Sequence, residues 1–364
     1  MPTLESNTYA TKHTQLIELI RARGAHALML STPASLAWFL EGARTHVSLA
    51  APAVLRVLVH AKGCELATST SEIQRVKDEE VGEELSVKFH VTEWYESIDD
   101  LGTWFPEASD WTILSESQVE PELRALRTAL SPSEVQRYRQ LSQDTAAVMT
   151  DVLSVASKDD TEFCLAAKLS AGVIALGAEV LVALVGSASR ADYRHPLPTS
   201  APLGHKAMAV LCVRRQGLIT NLTRWVRFDT PTAEELAGEA DILGVEAEII
   251  SGIKPDMKLG QLLPVIQRAY PAHGFDEREW TRHHQGGIAG YNGREPRLVP
   301  GATDRFQTNQ AFAFNPSAQR DGLMFKVEDT MLLTDSGSIE VLSTDPRWPS
   351  TIVNGLPRPE VLQR

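Results

Sequence analysis

GHKAMAVLCVRRQGLITNLTRWVRF, residues 204–228, is the stretch on which the fold turns. Met208 to Val213 is an apolar run and reads as a strand, and Gly217 to Phe228 reads as another, with a turn between them. Working outward, Thr232 to Ile253 reads as a helix opened by a Thr-Ala-Glu-Glu capping pattern. Lys258 to Tyr270 reads as a further helix. Ala311 to Asn315, Val327 to Thr334 and Ile339 to Leu342 read as strands, with Asp335-Ser336-Gly337 as the turn between the last two. Upstream, Ser131-Pro132-Ser133-Glu134 starts a helix to about Ser157, with a Ser cap, Pro in the first turn and a carboxylate beside it. A second helix is expected from Thr161-Glu162 to about Leu176. Residues 131–364 are therefore expected to form one α+β domain with antiparallel hairpins.

Residues 1–130 read differently. An amphipathic helix is expected over 9–24, with Leu16, Leu19 and Ile20 on one face. Short strands are expected at Ala27 to Leu30, Ala53 to His60, Cys64 to Thr68, Val87 to Val91 and Trp111 to Ser115. A further element begins at Ser35 and stops at Gly42. Strands interleaved with helices indicate an α/β domain.

The chain has 364 residues, 43% apolar and 23% charged, with a formal net charge of -12. That length suits two domains. An acidic average opposes binding to nucleic acid and to anionic membranes, so neither is expected as a partner. The N-terminus is polar and shows no signal-peptide pattern. No run of about 18 apolar residues suggests a membrane span. Cys64, Cys164 and Cys212 are far apart and odd in number. They form neither a disulfide framework nor a zinc spacing and read as reduced thiols of a cytoplasmic protein.

Five ordered segments carry a resemblance. They are Arg194-His195-Pro196-Leu197-Pro198; the Gly204–Val210 and Gly217–Arg224 pair; His283-His284-Gln285-Gly286-Gly287; Phe312-Ala313-Phe314-Asn315-Pro316; and Glu328-Asp329-Thr330 with the 335–337 turn. Thr32-Pro33 and Trp38-Phe39-Leu40-Glu41-Gly42 add an N-terminal echo. Together they resemble the M24 peptidase family, in its longer subgroup of Xaa-Pro dipeptidases, aminopeptidase P and creatinase. The resemblance implies a creatinase-like α/β N-terminal domain followed by an α+β pita-bread domain, and a homodimer.

It also implies a ligand set for two divalent metals: two Asp, one His and two Glu. Those positions fall on Val210, Asn221, His284, Asn315 and Glu328, so only His284 and Glu328 keep the expected residue. Val210 has no donor, and the Asn carbonyls are weaker ligands than carboxylates. No metal and no other cofactor is expected. The resemblance places His195 where the family's His contacts substrate or moves protons. His195, His284 and Glu328 are the candidate catalytic residues. His195 would act as acid and base, Glu328 would anchor substrate or serve as base, and His284 or Tyr291 would donate to a developing oxyanion. Tyr291, Arg294, Glu295, Asn221, Asn315 and Arg44 are candidate substrate contacts. Arg294 suits a carboxylate, and Gly286 and Gly287 are read as leaving room for a ligand against the backbone.

The expected function is metal-independent hydrolysis of a C–N bond in a small nitrogenous compound or short peptide. The alternatives are a catalytically inactive binding protein and an Xaa-Pro peptidase with an atypical metal site.

Overall fold

The computed structural model describes residues 7–82, 85 and 87–364. It separates into two units, 1–127 and 128–364.

In the first unit, apolar runs bounded by turns become β1 (Ala27–Leu30), β2 (Leu55–His60), β3 (Gly63–Ser69), β4 (Val87–Thr92) and β5 (Ile113–Ser115). They form one sheet in the order β4-β3-β2-β1-β5, with β1/β5 and β3/β4 parallel. Helix Asn7–Ala22 buries Leu16, Ile17 and Ile20. Thr32 caps the short helix Pro33–Phe39, accepting from the Ser35 backbone N–H, and that helix buries Trp38 and Phe39.

The second unit opens on the expected helix, Pro132–Leu153. Ser131 and Glu134 cap it reciprocally, so two otherwise orphaned N–H groups are satisfied. Its buried face lies on the sheet built from β6 (Glu179–Ser187), β7 (Lys206–Arg215) and β8 (Leu218–Arg227). Tyr138 donates to the Ile219 carbonyl, and Ser142 meets the Thr220 hydroxyl at 2.9 Å. A second sheet contains β9 (Gly286–Ala289) and β10 (Gln310–Phe314). A hairpin, β11 (Ser317–Arg320) and β12 (Leu323–Lys326), leads from it to β13 (Asp329–Leu333) and β14 (Ile339–Val341). The second sheet is ordered β14-β13-β10-β9. A last hairpin, β15 (Ser350–Val353) and β16 (Leu356–Pro359), precedes β17 (Leu362–Gln363), which joins the first of these sheets beside β8. Helix Ala233–Ser251 and helix Leu263–Ala272 close the core over Phe306, Phe312, Phe314 and Phe325. None of the described helices is long and apolar enough to cross a membrane.

Several elements differ from expectation. β6 is a continuous apolar run without alternation, a pattern that does not separate strand from buried helix. The expected helix over 258–270 is instead a 3-10 turn, Leu259–Leu262, followed by an α-helix with Pro264 in its first turn. The strand expected from Val327 starts at Asp329. The β11–β12 and β15–β16 hairpins turn on Asp321-Gly322 and Asn354-Gly355, all four at positive φ. Those dipeptides are hairpin signals present in the sequence.

Ion pairs inside the second unit lock its sheets. Asp329 accepts from Arg224 at 2.8 Å and from Arg358 at 2.7 Å, and Arg358 also reaches Glu246 at 2.6 Å. All four side chains are buried. Arg358→Met leaves two buried carboxylates facing each other without their shared cation. It is expected to lower stability by about 3–5 kcal/mol, measured by urea unfolding at pH 7.

Candidate functional site

Two strands set the first wall. In the β7–β8 register, Val210 lies across from Thr223 and Cys212 across from Asn221. Paired residues, and residues two apart along a strand, project to the same side. Val210, Cys212, Asn221 and Thr223 therefore share one sheet face. The second wall comes from the next sheet. Phe314 pairs with Asp329 and Ser317 with Lys326 in one continuous register. Between them the Val327 N–H donates to the Pro316 carbonyl at 3.3 Å, which puts Asn315 across from Glu328. The third wall is His283-His284-Gln285 and the strand β9 it enters.

Glu328 ties these walls together. Its carbonyl accepts from the Thr223 N–H at 3.0 Å. Its Oε2 accepts from Thr223 Oγ1 at 2.9 Å. Its Oε1 is held by Arg294 Nη2, whose Nη1 donates to the Gly293 carbonyl. Arg294 Nε is buried with no partner. The cationic group that Glu328 holds is thus one of the chain's own, and Arg294 pairs with Glu328 rather than with its neighbour Glu295.

The imidazoles cluster. His195 Nε2 lies 2.9 Å from His283 Nε2. His283 stacks on His284, with ring centres 4.3 Å apart, and His195 lies 5.7 Å from His284 by the same measure. His195 is exposed, whereas His283 is buried. The Nδ1 atoms of His283 and His284 are buried without a partner. Burial, then the charges of Arg294, Arg297 and Lys326, pushes the His284 pKa down to about 3. Burial and the Lys326 charge drive His283 far below the ordinary imidazole range. Partial desolvation and Lys326 also lower His195. Burial pushes the Cys212 thiol up to about 12, so it is a thiol rather than a thiolate.

The resemblance placed metal ligands at five positions, and their surroundings are now plain. Val210 sits in an apolar cluster with Leu184, Met208 and Met324. The Asn221 backbone N–H donates to Thr330 Oγ1 at 2.7 Å. Asn315 is buried, and its Oδ1 has no partner. Glu328 carries a guanidinium. Among the described residues, the group with donor atoms close enough for one ion is His195, His283 and His284, within 4.8 Å of one another. Neutral imidazoles are good ligands, but the neighbouring cations oppose a dication.

Other expected site residues have partners of their own. The Tyr291 hydroxyl donates to Glu134 Oε1 at 2.6 Å, the carboxylate that caps the long helix. Glu295 is buried, and its N–H donates to the Ile288 carbonyl. Arg44, in the first unit, pairs with Glu79 and Glu80, each at 2.7 Å. The reading of Gly286 and Gly287 as room for a ligand is corrected. A Cβ at Gly286 would lie 2.2 Å from the Ala313 carbonyl, and one at Gly287 2.2 Å from that of Pro296. The protein's own backbone fills that space. Lys326 and Thr223 are site residues not singled out from the sequence. Their signal was alternation: Lys326 stands two residues before Glu328, and Thr223 two after Asn221.

Two largely antiparallel sheets under long helices, with the site between their facing strands, form a pita-bread fold. The family model of metallopeptidase family M24 matches residues 136–335, more than half the chain, and the chain belongs to that family. The prolidase from Pyrococcus horikoshii OT3 is similar over 93% of this chain and 99% of its own, with TM-score 0.75 and 15% identity. The Xaa-Pro dipeptidase from Bacillus anthracis is similar over 98% and 100%, with TM-score 0.74 and 16% identity. The N-terminal domain of the FACT complex subunit SPT16 from Cicer arietinum is similar over 94% and 97%, with TM-score 0.69 and 12% identity. At such identities the likeness fixes the fold alone. No curated protein sequence matches the chain.

The imidazole pKa values set a pH dependence. The folded values of His283 and His284 lie below the unfolded value of about 6.5, so the unfolded chain binds more protons below that pH. Stability is expected to fall as pH drops from about 6.5 toward 3. Urea midpoints at pH 7, 6, 5 and 4 should decline, and the double variant His283→Gln, His284→Gln should decline less steeply.

Proposed function

We propose that the protein is a metal-independent hydrolase of a C–N bond in a small nitrogenous compound or short peptide. The observation that carries this reading is the His195–His283 pair beside a carboxylate already committed to Arg294. Two dications need several carboxylates, because buried charge must be compensated. Here the candidate ligand positions supply one carboxylate, and its own cation neutralises it. A two-metal cage does not fit that donor set, so no step is routed through a metal.

Acid–base chemistry suits the imidazoles. His195 donates its Nε2–H to His283 Nε2, which orients the ring and leaves His195 Nδ1 to accept a proton from water. The water oxygen bonds to the carbon, the C–N bond breaks, and the imidazolium returns its proton to the leaving nitrogen. The products are the hydroxylated or acid fragment and the amine, with nothing consumed but water. His284, through its ring N–H, faces the developing oxyanion. A homodimeric cytoplasmic enzyme goes with this reading.

A catalytically inactive binding protein is the second reading. The Arg294–Glu328 pair favours it, because it occupies a carboxylate that an enzyme would use. Guanidino, betaine-like and proline-containing compounds assayed for amine release separate the two. The hydrolase reading expects turnover that His195→Ala lowers by about 100-fold or more. Mass spectrometry of protein incubated with Mn, Co and Zn salts and desalted is expected to give near-zero metal per chain. Two ions per chain would restore the Xaa-Pro peptidase reading.

A further inference from the structure

Lys326 is 3% exposed, at the end of β12. Its ammonium has no hydrogen-bond or ion-pair partner among the described residues. Burying an ammonium without a counter-charge is costly. The groups in its electrostatic range are Glu328, Cys212, Arg294 and Arg194, together with the rings of His195, His283 and His284. Glu328 is the carboxylate of that set, and Arg294 and Thr223 already hold it. Arg194 is held by Glu279 at 2.6 Å, which also pairs with Arg282 at 2.6 Å. What remains at the centre is the Lys326 amine, whose pKa burial lowers and the nearby Glu328 carboxylate raises.

The unmet hydrogen-bonding groups around it are specific. Arg294 Nε is a donor without an acceptor, and Asn315 Oδ1 is an acceptor without a donor. Asn315 lies across the hairpin from Glu328, and Lys326 is two residues from Glu328 along the chain. A ligand completing this arrangement brings an anionic oxygen for Lys326 and Arg294 and an N–H for Asn315.

We propose that Lys326 and Arg294 form an anion subsite for the carboxylate of a small substrate, with Asn315 receiving an N–H of the same molecule. The substrate class is a small carboxylic acid bearing an amide or amine nitrogen, such as an N-acyl amino acid. A substrate role for this molecule rests on the hydrolase reading above, and binding is expected whether or not turnover follows.

The test uses the full chain at pH 7 and constant ionic strength set with sodium chloride. Melting temperature is followed against N-acetylglycine, acetate and the uncharged N-acetylglycinamide. N-acetylglycine is expected to give a saturable rise, acetate a rise at higher concentration, and N-acetylglycinamide none. Lys326→Met, which keeps the chain length without the charge, is expected to weaken N-acetylglycine at least tenfold. It is also expected to melt higher than the parent without ligand, since it removes an uncompensated buried cation. If it does not fold, Lys326→Gln carries the same affinity test. Asn315→Ala is expected to bring N-acetylglycine down to the affinity of acetate. The proposal is overturned if no carboxylate stabilises the protein, if the uncharged amide does so equally, or if the effect survives loss of Lys326. It is overturned as well if cobalt(II) stabilises the protein and the carboxylates do not, since the histidines then form a cation site. His195→Ala separates the two readings. Lost turnover with the carboxylate effect intact bears on hydrolysis, and a lost carboxylate effect in the parent bears on this subsite.

Discussion

Asp329 is the point from which the second unit hangs. Its two oxygens are divided between Arg224 on β8 and Arg358 on β16, and Ser343 donates a third hydrogen bond. Those partners come from distant parts of the chain, so the carboxylate fixes the sheets against the C-terminal hairpin with directed, charge-assisted bonds. Glu328 and Thr330 flank it. Thr330 Oγ1 meets the Asn221 backbone, while Glu328 meets Thr223. The strand that carries Glu328 and Thr330 is thereby held against the strand that carries Asn221 and Thr223.

The charge of the site sets its chemistry. A pita-bread fold leaves a polar space where strands of two sheets face one another, and the residues lining it decide what it attracts. Here β7 contributes an apolar Val210 and a protonated Cys212. β8 contributes Asn221 and Thr223. Lys326 and Arg294 supply the strong charges. In that field the imidazoles stay neutral at physiological pH, which preserves them as proton acceptors and as hydrogen-bond donors.

Much of this was legible in the sequence. The 204–228 hairpin, the Ser131–Glu134 cap and the helix after Thr232 follow from local rules of capping and alternation. Their side chains behave as those rules require because each rule concerns groups only a few residues apart. Ordered motifs also pointed to His195, His284, Asn315 and Glu328. What sequence reading missed depends on distant partners. The choice of Glu328 over Glu295 by Arg294 lies 34 positions away. Tyr291 turns to Glu134, 157 positions away. Gly286 and Gly287 looked like space for a ligand because a sequence does not reveal which backbone passes overhead. β6 escaped because a uniformly apolar run carries no period.

The segment that presents Arg294 is pinned along its length. Ile219 N–H bonds to the Gly290 carbonyl, Tyr291 to the cap of the long helix, Glu295 N–H to Ile288, and Leu298 N–H to Gly286. Little of it remains to be ordered when a molecule arrives. A guanidinium carried on so tied a segment loses little conformational freedom in any further contact, so rigidity built in on folding lowers the entropic cost of whatever it later holds.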